Sequence, residues 1–594
     1  MTHTSAIIPD LVAEGLSKNT TGIVSATKRN GTWFTTSIEA FRDMTERCAF
    51  GLYALGLRRG DRVALHAENS TEWLIVDQAA QALGAVTVPI YTTQPGDQIK
   101  YILENSEARI YLVSTEALFA SLRPFMGQIA TLETTVGLRG TFHPGMLSLE
   151  ELLDRGRQQQ AETPELLHHL RAEITPEDVV TFIYTSGTTG FPKGVMLTHS
   201  NFVSNILAVL KRAPFDIEGL RGERVLSYLP LAHSFERTVS LLYLHIGCPI
   251  YFIENYEDIL EDLRTVQPAH FTTVPRLLEK IYAGIRSKAD QLSGVQKVLM
   301  GWALDLADRY DVEAPGTWSD RIAHALADRI VYKNIRRMFG SRLQTLTSGG
   351  AALSGQIMNF FNAIGIFCGQ GYGMTETSPV ISVFHRKELR AGSTGKPIDG
   401  IEVKIADDGE ILTRGPHVMK GYFKMPEATC EVLTEDGWLH TGDIGHFDDD
   451  GYLYITDRKK QLLKLSTGKY VAPQPIEMAL TASPFIEQAV VIGNECKFCS
   501  ALLVLDAAAV RRHFEEQHPA LPETGFAGHA PTIELIRKEV DAANATLPHW
   551  EQIKQFRLLE HPFSIESGEL TPTMKVKRRV VQEKYKDKIA LMYA

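Results

Sequence analysis

Cysteine and long apolar runs are both scarce in this chain of 594 residues. Its six cysteines are scattered, so we expect no disulfide framework and a reducing compartment. The most apolar segment, 239–253, is shorter than the roughly 20 residues of a membrane-spanning helix. Residues 1–15 lack the cationic start of a secretory signal. The sequence therefore predicts a cytoplasmic protein without a transmembrane helix.

Positive charge is also limited. Lysine and arginine total 61 against 71 aspartate and glutamate, which gives a formal net charge of −10. This balance disfavours whole-surface binding to nucleic acid or anionic lipid, and we expect no nucleic-acid partner. The basic tail 575–588 leaves room for peripheral contact with the inner face of a membrane, although charge runs on a terminal helix are usually solvated. The oligomeric state stays open, and a dimer is compatible with the sequence.

Three common catalytic signatures are missing. The Walker pattern GxxxxGK[ST] does not occur, which disfavours a P-loop NTPase. Gly371 and Gly373 are followed by Glu376 where a GxGxxG loop requires its third glycine, so a Rossmann dehydrogenase loses its main support. Ala391 replaces the first glycine of the GxSxG motif, which disfavours a serine hydrolase.

Helical and extended patterns alternate along much of the chain. Such alternation predicts an α/β fold, and we expect a large N-terminal domain, 1–459, with doubly wound, mostly parallel sheets. A charged helical stretch without strand patterns, about 294–339, interrupts this domain as an inserted pair of helices. The clearest predicted helices are 37–55, 72–83, 98–105 and 258–267, and the clearest strands are 62–66, 85–91, 110–113 and 270–274.

A domain boundary is expected near residue 460, after a charged run. The remaining segment, 460–594, predicts a small α+β domain. Its expected elements are a hairpin of the runs 488–493 and 500–506, a helix at 532–545 and a basic C-terminal helix at 576–589. Cys496 and Cys499 form a lone CxxC between the two strand runs, which indicates a structural hairpin rather than a zinc or redox site.

The most specific segment is YTSGTTGFPKG, 184–194, directly after the strand-like run 179–183. Small hydroxyl residues and glycines let backbone N–H groups approach phosphate oxygens closely, and Lys193 adds a mobile positive charge. The alternative is a flexible turn rich in glycine and threonine. We interpret the segment as a phosphate-binding loop.

This loop resembles the signature of the adenylate-forming, AMP-binding superfamily. Four further segments match that family in the expected order: GQGYGMTETSP at 369–379, WLHTGDIG at 438–445, DRKKQLLKLSTGKYVAP at 457–473 and LTPTMKVKR at 570–578. Within the superfamily, three segments are similar to long-chain fatty acyl-CoA synthetases: VPIYTT at 88–93, LPLAHSFER at 229–237 and TSGGAALS at 347–354, which follows the helical insert. The resemblance implies ATP-dependent joining of a fatty acid to AMP with loss of diphosphate, and transfer of the acyl group to coenzyme A.

The roles of the phosphate-binding residues follow from this resemblance. It implies that Lys193 and the loop bind the β- and γ-phosphates of ATP, through Ser186, Gly187, Thr188, Thr189 and Gly190. Thr185 and the catalytic Glu376 match positions associated with Mg²⁺, and oxygen ligands suit that hard ion.

The adenosine and acyl-adenylate contacts are also implied by the family. Tyr372 matches the aromatic residue that stacks on adenine, and Gly371 and Thr375 match positions that contact acyl-adenylate. Asp443 matches the acidic residue that accepts hydrogen bonds from both ribose hydroxyls. Arg458 matches the arginine that contacts ribose or phosphate.

Lysines of the C-terminal region carry the remaining implied roles. Lys460 matches the hinge of a mobile C-terminal domain. Lys575 matches the lysine that contacts the substrate carboxylate and the α-phosphate during adenylation, with Lys577 as a rival two residues away. Lys464 belongs to the face that serves thioester formation in this family.

The acyl-binding site is the part that the sequence describes least. His233 and Gly349 are expected to line the pocket, and a packing role is the alternative for His233. Other activities stay open: a fatty acyl-AMP ligase that loads an acyl carrier protein, a coenzyme A ligase for a medium-chain or aromatic acid, and a non-catalytic sensor. The intact set Lys193, Glu376, Asp443 and Lys575 argues against the sensor, because binding alone would not require it.

Overall fold

The chain divides into two units. In the first unit, strands that alternate with helices form two large sheets. The computed structural model describes residues 7–185, 191–213, 215–314, 316–515, 528–564, 567–570 and 576–593. The first unit comprises Met1–Lys404, Leu412–Thr441 and Phe447–Leu453. The second comprises Ile405–Ile411, Gly442–His446 and Tyr454–Ala594.

A nine-stranded sheet carries the TSGG and GYGMTET segments of the first unit. Its interior strands pair in parallel, and its outer strands pair antiparallel. In spatial order the strands are Lys396–Pro397, Val380–Val383, Phe367–Gly373, Thr345–Ser348, His270–Thr273, Val225–Ser227, Ile250–Phe252, Ile23–Arg29 and Thr32–Ser37. In open sheets of this kind ligands bind at the carboxyl ends of parallel strands, and the segments TSGG and GYGMTET begin at two such ends.

An eight-stranded sheet carries the phosphate-loop motif. Its strands in spatial order are Gly421–Tyr422, Lys193–Thr198, Val179–Thr185, Val86–Ile90, Arg62–His66, Ile110–Val113, Thr134–Gly137 and Leu147–Ser148. The first two pairings are antiparallel and the others are parallel. This arrangement of the two sheets confirms the predicted mostly parallel α/β architecture.

Helices cover both sheets. The main helices of the first unit are Ile8–Lys18, Ile38–Ala54, Thr71–Ala82, Gly96–Ser106, Glu116–Leu122, Leu149–Glu162, Leu166–Glu173, His199–Lys211, Ile217–Leu220, Ser234–Ile246, Ile259–Val266, Pro275–Asp290, Gly355–Ala363 and Pro426–Cys430. The helix Ser234–Ile246 is buried on nearly all sides, as expected for a helix that packs inside a large core. Its Leu241 and Tyr243 share one apolar cluster with Val63 and Val180 of the eight-stranded sheet and Val225 of the nine-stranded sheet.

The segment predicted as a helical insert contains the helices Gly294–Asp308 and Trp318–Ala327. A π-helical turn, Asp328–Tyr332, and the helix Lys333–Arg336 continue the second of these. Their inner residues, among them Leu304 and Tyr332, join the core beneath the nine-stranded sheet. None of the helices in the described ranges is both long enough and apolar enough to cross a membrane.

The second unit has its own sheets and core. Its three-stranded sheet comprises Ile486–Ile492, Cys499–Leu505 and Ile553–Leu559, and a small hairpin pairs Leu463–Lys464 with Tyr470–Val471. The helices are Pro473–Thr481, Ala507–Glu515, Ala530–Asn544, Arg578–Lys584 and Lys586–Tyr593. A further four-stranded sheet comprises Glu402–Ile405, Glu410–Arg414, Leu439–Phe447 and Leu453–Arg458.

Two features of this region differ from the sequence expectation. The predicted single helix at 576–589 is wrong, because two helices flank Tyr585, whose hydroxyl donates a 2.8 Å hydrogen bond to Glu569 Oε1. Residues 405–411, 442–446 and 454–459 group with the second unit, although the predicted boundary lies at 460. Hydrogen bonds such as Gly445 N to Gly409 O link these short segments to one another. The boundary at 460 stays a prediction.

Candidate active site

The phosphate-loop motif connects two antiparallel strands. Val179–Thr185 pairs with Lys193–Thr198, and Thr185 lies directly opposite Lys193 in the register. The two residues that flank the loop are therefore cross-strand neighbours. The predicted contacts Ser186, Gly187, Thr188, Thr189 and Gly190 lie outside the described residues.

Tyr422 lies between two of the predicted site residues. The short strand Gly421–Tyr422 pairs antiparallel with the strand that begins at Lys193, opposite Val195 and Met196. The Lys193 amino group lies 4.9 Å from the centre of the Tyr422 ring, and the Tyr422 hydroxyl donates a 2.9 Å hydrogen bond to Glu376 Oε1. Burial, with the neighbouring Glu376 carboxylate, raises the pKa of Tyr422. The phenol therefore stays protonated and keeps its proton available to Glu376.

Glu376 is held in a short turn just after the strand Phe367–Gly373. The turn Thr375–Thr377 is 3₁₀-helical, and the side chain of Glu376 is 7% exposed. Its carbonyl oxygen accepts a 2.8 Å hydrogen bond from Met419 N. Burial and the hydrogen bond from the tyrosine hydroxyl fix the orientation of the Glu376 carboxylate. A carboxylate oriented in this way can act as an oxygen ligand to a hard cation.

A hydrogen bond connects two of the sequence motifs. Ser234 Oγ, in LPLAHSFER, donates to Thr375 Oγ1, in GYGMTET, at 3.3 Å. Both hydroxyls are buried. The motif that begins the buried helix Ser234–Ile246 is thus joined to the turn that carries Glu376.

An apolar cavity opens beside this turn. Its empty volume, including the open mouth, is about 720 Å³. The lining combines Gly371, Tyr372, Gly373 and Met374 of the GYGMTET segment with Gly349, Gly350, Thr347, His233, Phe235, Val239, Leu242, Tyr243, Val209, Phe215, His270, Thr272, Pro379, Val380 and Val383. The structure therefore brings the predicted residues His233, Gly349, Gly371 and Tyr372 together around one cavity.

The strand register shows how far apart two of the lining residues lie along the strands. His270 pairs with Thr345, and Thr345 pairs with Phe367, whereas Gly371 lies four residues further along the same strand. At about 3.3 Å per residue, the lining residues Gly371 and His270 are therefore offset by roughly 13 Å along the strand direction. Burial lowers the pKa of His270 to about 3, so this imidazole is uncharged at neutral pH. An uncharged imidazole in the lining is compatible with an alkyl chain.

His233 has a local structural role in addition to lining the cavity. It is the N-cap of the helix Ser234–Ile246, and its Nδ1 accepts a 3.1 Å hydrogen bond from Phe235 N. A Cβ atom on Gly349 would lie 2.6 Å from the ring of Phe235, which also lines the cavity. A glycine at 349 therefore keeps room for Phe235 at the cavity wall.

Two residues of the second unit that are predicted to bind the nucleotide, Asp443 and Arg458, form an ion pair. Arg458 Nε lies 3.1 Å from Asp443 Oδ1, and the Asp443 side chain is 5% exposed. The neighbouring Lys459 binds Asp408 and Glu410 at 2.6 and 2.8 Å, and Glu410 Oε1 accepts a hydrogen bond from Gly442 N at 2.9 Å. These contacts hold the part of the strand Leu439–Phe447 that carries Asp443. In the sequence, Asp408 and Glu410 match no motif, and Lys459 was visible only as part of the charged run at 457–460.

Of the three lysines predicted to act in the second unit, two lie within the described residues. Lys460 lies in the turn Lys459–Gln461. Lys464 is exposed on the strand Leu463–Lys464, with its amino group 5.7 Å from the ring centre of Tyr470. Lys575 lies outside the described residues.

Two charged residues of LPLAHSFER proved to be part of the core. Arg237 forms an ion pair with Asp77, in which both side chains are 1% exposed, and donates a 2.6 Å hydrogen bond to Thr181 Oγ1. Glu236 is 1% exposed and accepts a 2.5 Å hydrogen bond from Ser227 Oγ. Burial raises the pKa of Glu236 to about 8. Sequence analysis missed these roles because charged residues at a helix start usually indicate solvent exposure.

The metal-binding potential of the site depends on few ligands. Within the described ranges, no group of three His, Cys, Asp or Glu side chains is arranged to hold a metal ion. Glu376 and Thr185 offer a carboxylate and a hydroxyl, which are the hard oxygen donors that Mg²⁺ prefers. Mg²⁺ is commonly bound by one or two carboxylates together with substrate phosphates, so this donor set fits an ion that is bound with a nucleotide.

Comparisons with known proteins identify the family of the chain. A family model described as "AMP-binding enzyme" matches residues 17–423, and one described as "AMP-binding enzyme C-terminal domain" matches residues 460–594. The long-chain-fatty-acid–CoA ligase FadD15 of Mycobacterium bovis is 36% identical over 95% of this chain and 93% of its own. The peroxisomal long chain acyl-CoA synthetase 7 of Arabidopsis thaliana is 33% identical over 92% and 79%.

Solved structures share the fold at lower identity. The A domain of carboxylic acid reductase from Segniliparus rugosus, in complex with AMP and a carboxylic acid, superposes with a TM-score of 0.75 at 20% identity, covering 100% of this chain and 95% of that chain. The anthranilate CoA ligase AuaEII with anthranoyl-AMP gives a TM-score of 0.71 at 20% identity, covering 98% of both chains. The chain belongs to the AMP-binding enzyme family and, within it, to the long-chain-fatty-acid–CoA ligases.

Proposed function

We propose that this protein activates a long-chain fatty acid with ATP and Mg²⁺ to form acyl-adenylate, and then transfers the acyl group to coenzyme A. One observation carries the proposal. The apolar cavity is lined in part by Gly371, Tyr372 and Met374 of the GYGMTET segment, so an alkyl-sized pocket adjoins the segment that carries Glu376.

In the first step, a carboxylate oxygen of the fatty acid attacks the α-phosphorus of ATP. The bond from the α-phosphorus to the bridging oxygen breaks, and diphosphate leaves. Negative charge grows on the phosphates, so cationic groups and hydrogen-bond donors fixed in advance lower the barrier. We assign Lys193 and the loop 186–190 to the β- and γ-phosphates. Lys575 is assigned to the carboxylate and α-phosphate.

The adenosine contacts complete the proposed first-step site. Tyr372 stacks on adenine, with Gly371 and Thr375 beside the acyl-adenylate. Asp443 accepts hydrogen bonds from the ribose hydroxyls, and Arg458 contacts ribose or phosphate. The burial of Asp443 and its pairing with Arg458 support these two assignments, because a fixed carboxylate recognises a diol better than a mobile one.

Magnesium would be held with the nucleotide by Glu376 and Thr185. When bound, it neutralises charge that develops on the phosphates. The hydrogen bond from Tyr422 to Glu376 supports the assignment, because it fixes one carboxylate oxygen and leaves the phenol protonated.

In the second step, the thiol sulfur of coenzyme A attacks the acyl carbonyl carbon. The bond from that carbon to the AMP oxygen breaks, AMP leaves, and acyl-CoA forms. We assign Lys464, exposed on its hairpin, to this step, with Lys460 as the hinge that lets the small domain present a different face.

The test is AMP release from the purified protein with ATP and Mg²⁺. The acid is varied over acetate, octanoate, palmitate, oleate and benzoate, each with and without coenzyme A. Multiple turnovers with palmitate or oleate that require coenzyme A are expected. A stoichiometric acyl-AMP adduct that ignores coenzyme A would instead indicate a ligase that loads a carrier protein, and binding without turnover would indicate a sensor.

A further inference from the structure

Exposed apolar side chains are concentrated on the inserted helices. Fourteen large apolar side chains are exposed in the described ranges, and six of them lie between residues 295 and 330. Isolated exposed apolar residues are normal, but a cluster on one element marks an interaction surface.

Four of these residues form a stripe on one helix. Trp318, Ile322, Leu326 and Ile330 follow one another at intervals of four, and Trp318 is 79% exposed. At 1.5 Å per residue the stripe extends about 18 Å along the helix. We call these four residues the apolar stripe. On the neighbouring helix Gly294–Asp308, Val295 and Val298 are also exposed.

The helix that carries the stripe is fixed from its other side. Ala327, Val331, Tyr332 and Ile335 are buried in the core beneath the nine-stranded sheet. The Tyr332 hydroxyl donates a 2.8 Å hydrogen bond to the Ala303 carbonyl. The stripe is therefore the outer face of an anchored helix.

The charges beside the stripe are mostly basic. The segment 318–337 contains five basic and two acidic side chains, although the whole chain carries a net charge of −10. Asp328 pairs with Arg336, whereas Asp320 accepts hydrogen bonds from the neutral Thr317 and is an exposed carboxylate, so the segment keeps a formal charge of +3. Arg329 and Lys333 are exposed.

We propose that the apolar stripe and its basic neighbours bind the surface of an anionic lipid membrane. Interfacial helices combine tryptophan and aliphatic residues with lysine or arginine, and an anionic leaflet attracts such charges. The cores of protein–protein interfaces are instead depleted of lysine, which makes a protein partner the weaker fit. The inference goes beyond the proposed function and uses it in one respect: a long-chain substrate partitions into membranes.

Vesicle sedimentation tests this inference with the full-length protein. Vesicles of phosphatidylglycerol and phosphatidylcholine are compared with vesicles of phosphatidylcholine alone. The stripe variant is Trp318→Gln, Ile322→Gln and Leu326→Gln together, because glutamine preserves helix propensity. We expect binding to anionic vesicles to fall at least about tenfold, because three large apolar side chains no longer leave water when the helix contacts the membrane.

Charge variants separate this surface from the C-terminal tail. Arg329→Gln and Lys333→Gln should each weaken binding about fivefold, because one basic residue contributes about 1 kcal/mol near an anionic membrane. Arg579→Gln with Lys586→Gln, in the tail, should have no effect. Trp550→Gln with Leu591→Gln, which removes exposed apolar residues elsewhere, is the matched control.

Three outcomes would overturn the inference. In the first, the unmodified protein does not bind anionic vesicles. In the second, the stripe variant binds them as well as the unmodified protein does. In the third, the stripe is needed for a dimer of the protein, and the protein does not bind vesicles. Adenylation of soluble octanoate verifies that each variant is folded. That activity also tests the ligase reaction separately, so failure of vesicle binding and failure of the proposed function can be distinguished.

Discussion

The hydroxyl of Tyr422 donates a 2.9 Å hydrogen bond to the buried carboxylate of Glu376, and the same ring lies 4.9 Å from the amino group of Lys193. One tyrosine thus contacts both a residue proposed to bind phosphate and one proposed to bind Mg²⁺. Its strand reaches this position only by pairing with the strand that begins at Lys193.

Tyr422→Phe should impair adenylation. The Glu376 carboxylate loses its fixed donor, and we expect diphosphate release to slow about tenfold, which corresponds to about 1.4 kcal/mol, with a higher Mg²⁺ requirement. Diphosphate release is measured across a Mg²⁺ titration. Tyr111→Phe, which removes a buried hydroxyl bonded to His66, is the control. An unchanged Mg²⁺ dependence in Tyr422→Phe would contradict the role of this contact.

Lys575→Ala and Lys464→Ala should separate the two half-reactions. Lys575→Ala is expected to slow adenylation by about 10² to 10³, the cost of removing one preorganised charge-stabilising group. It should spare thioester formation from supplied acyl-AMP, whereas Lys464→Ala should do the reverse. Both steps are measured for each variant, with Lys577→Ala as the neighbouring control. Equal loss of both steps in Lys575→Ala would reject its assignment.

Gly349→Ala should narrow the acyl cavity. The added methyl group would lie 2.6 Å from the Phe235 ring, so that ring must move. We expect the KM for palmitate to rise more than the KM for octanoate, because the longer chain uses more of the cavity. Gly355→Ala is the control, since its Cβ would have no neighbour closer than 3.6 Å. A parallel rise for both acids would argue against a role for Gly349 in chain-length preference.

Glu236→Gln should change how stability depends on pH. The folded protein holds the Glu236 proton to about pH 8, whereas the ordinary pKa of 4.5 applies after unfolding. The folded state thus binds more protons between these values, and this group removes stability as pH rises through that window. Glutamine can still accept the Ser227 hydroxyl but does not ionise. We expect the Tm of the variant, relative to the unmodified protein, to increase from pH 5 to pH 8.

Thermal unfolding of both proteins at several pH values measures this difference. Buried histidines such as His199 and His270, whose pKa values burial lowers to about 4 and 3, act in the opposite direction as pH falls. They are present in both proteins, so their effect cancels in the comparison. A constant Tm difference across the range would show that Glu236 does not titrate there.

Local sequence patterns were sufficient to predict most of the helices and strands. The strand predicted at 110–113 is Ile110–Val113, and the helix predicted at 258–267 is Ile259–Val266. These signals are local because apolar spacing records which face of an element is buried. The C-terminal helix was predicted wrongly as one piece, because the break at Tyr585 has neither the glycine nor the proline that signals a helix end in a sequence.

The sequence by itself determined the family and the alternation that builds parallel sheets, since motif identity and periodicity reside in short stretches of chain. Only the tertiary structure decided that Tyr422 contacts Glu376, that His233 caps the helix beside the acyl cavity, and that Glu236 and Arg237 are buried. Such contacts join residues from separate elements. Their partners, burial and pKa shifts arise from strand register and helix packing, which no single segment specifies.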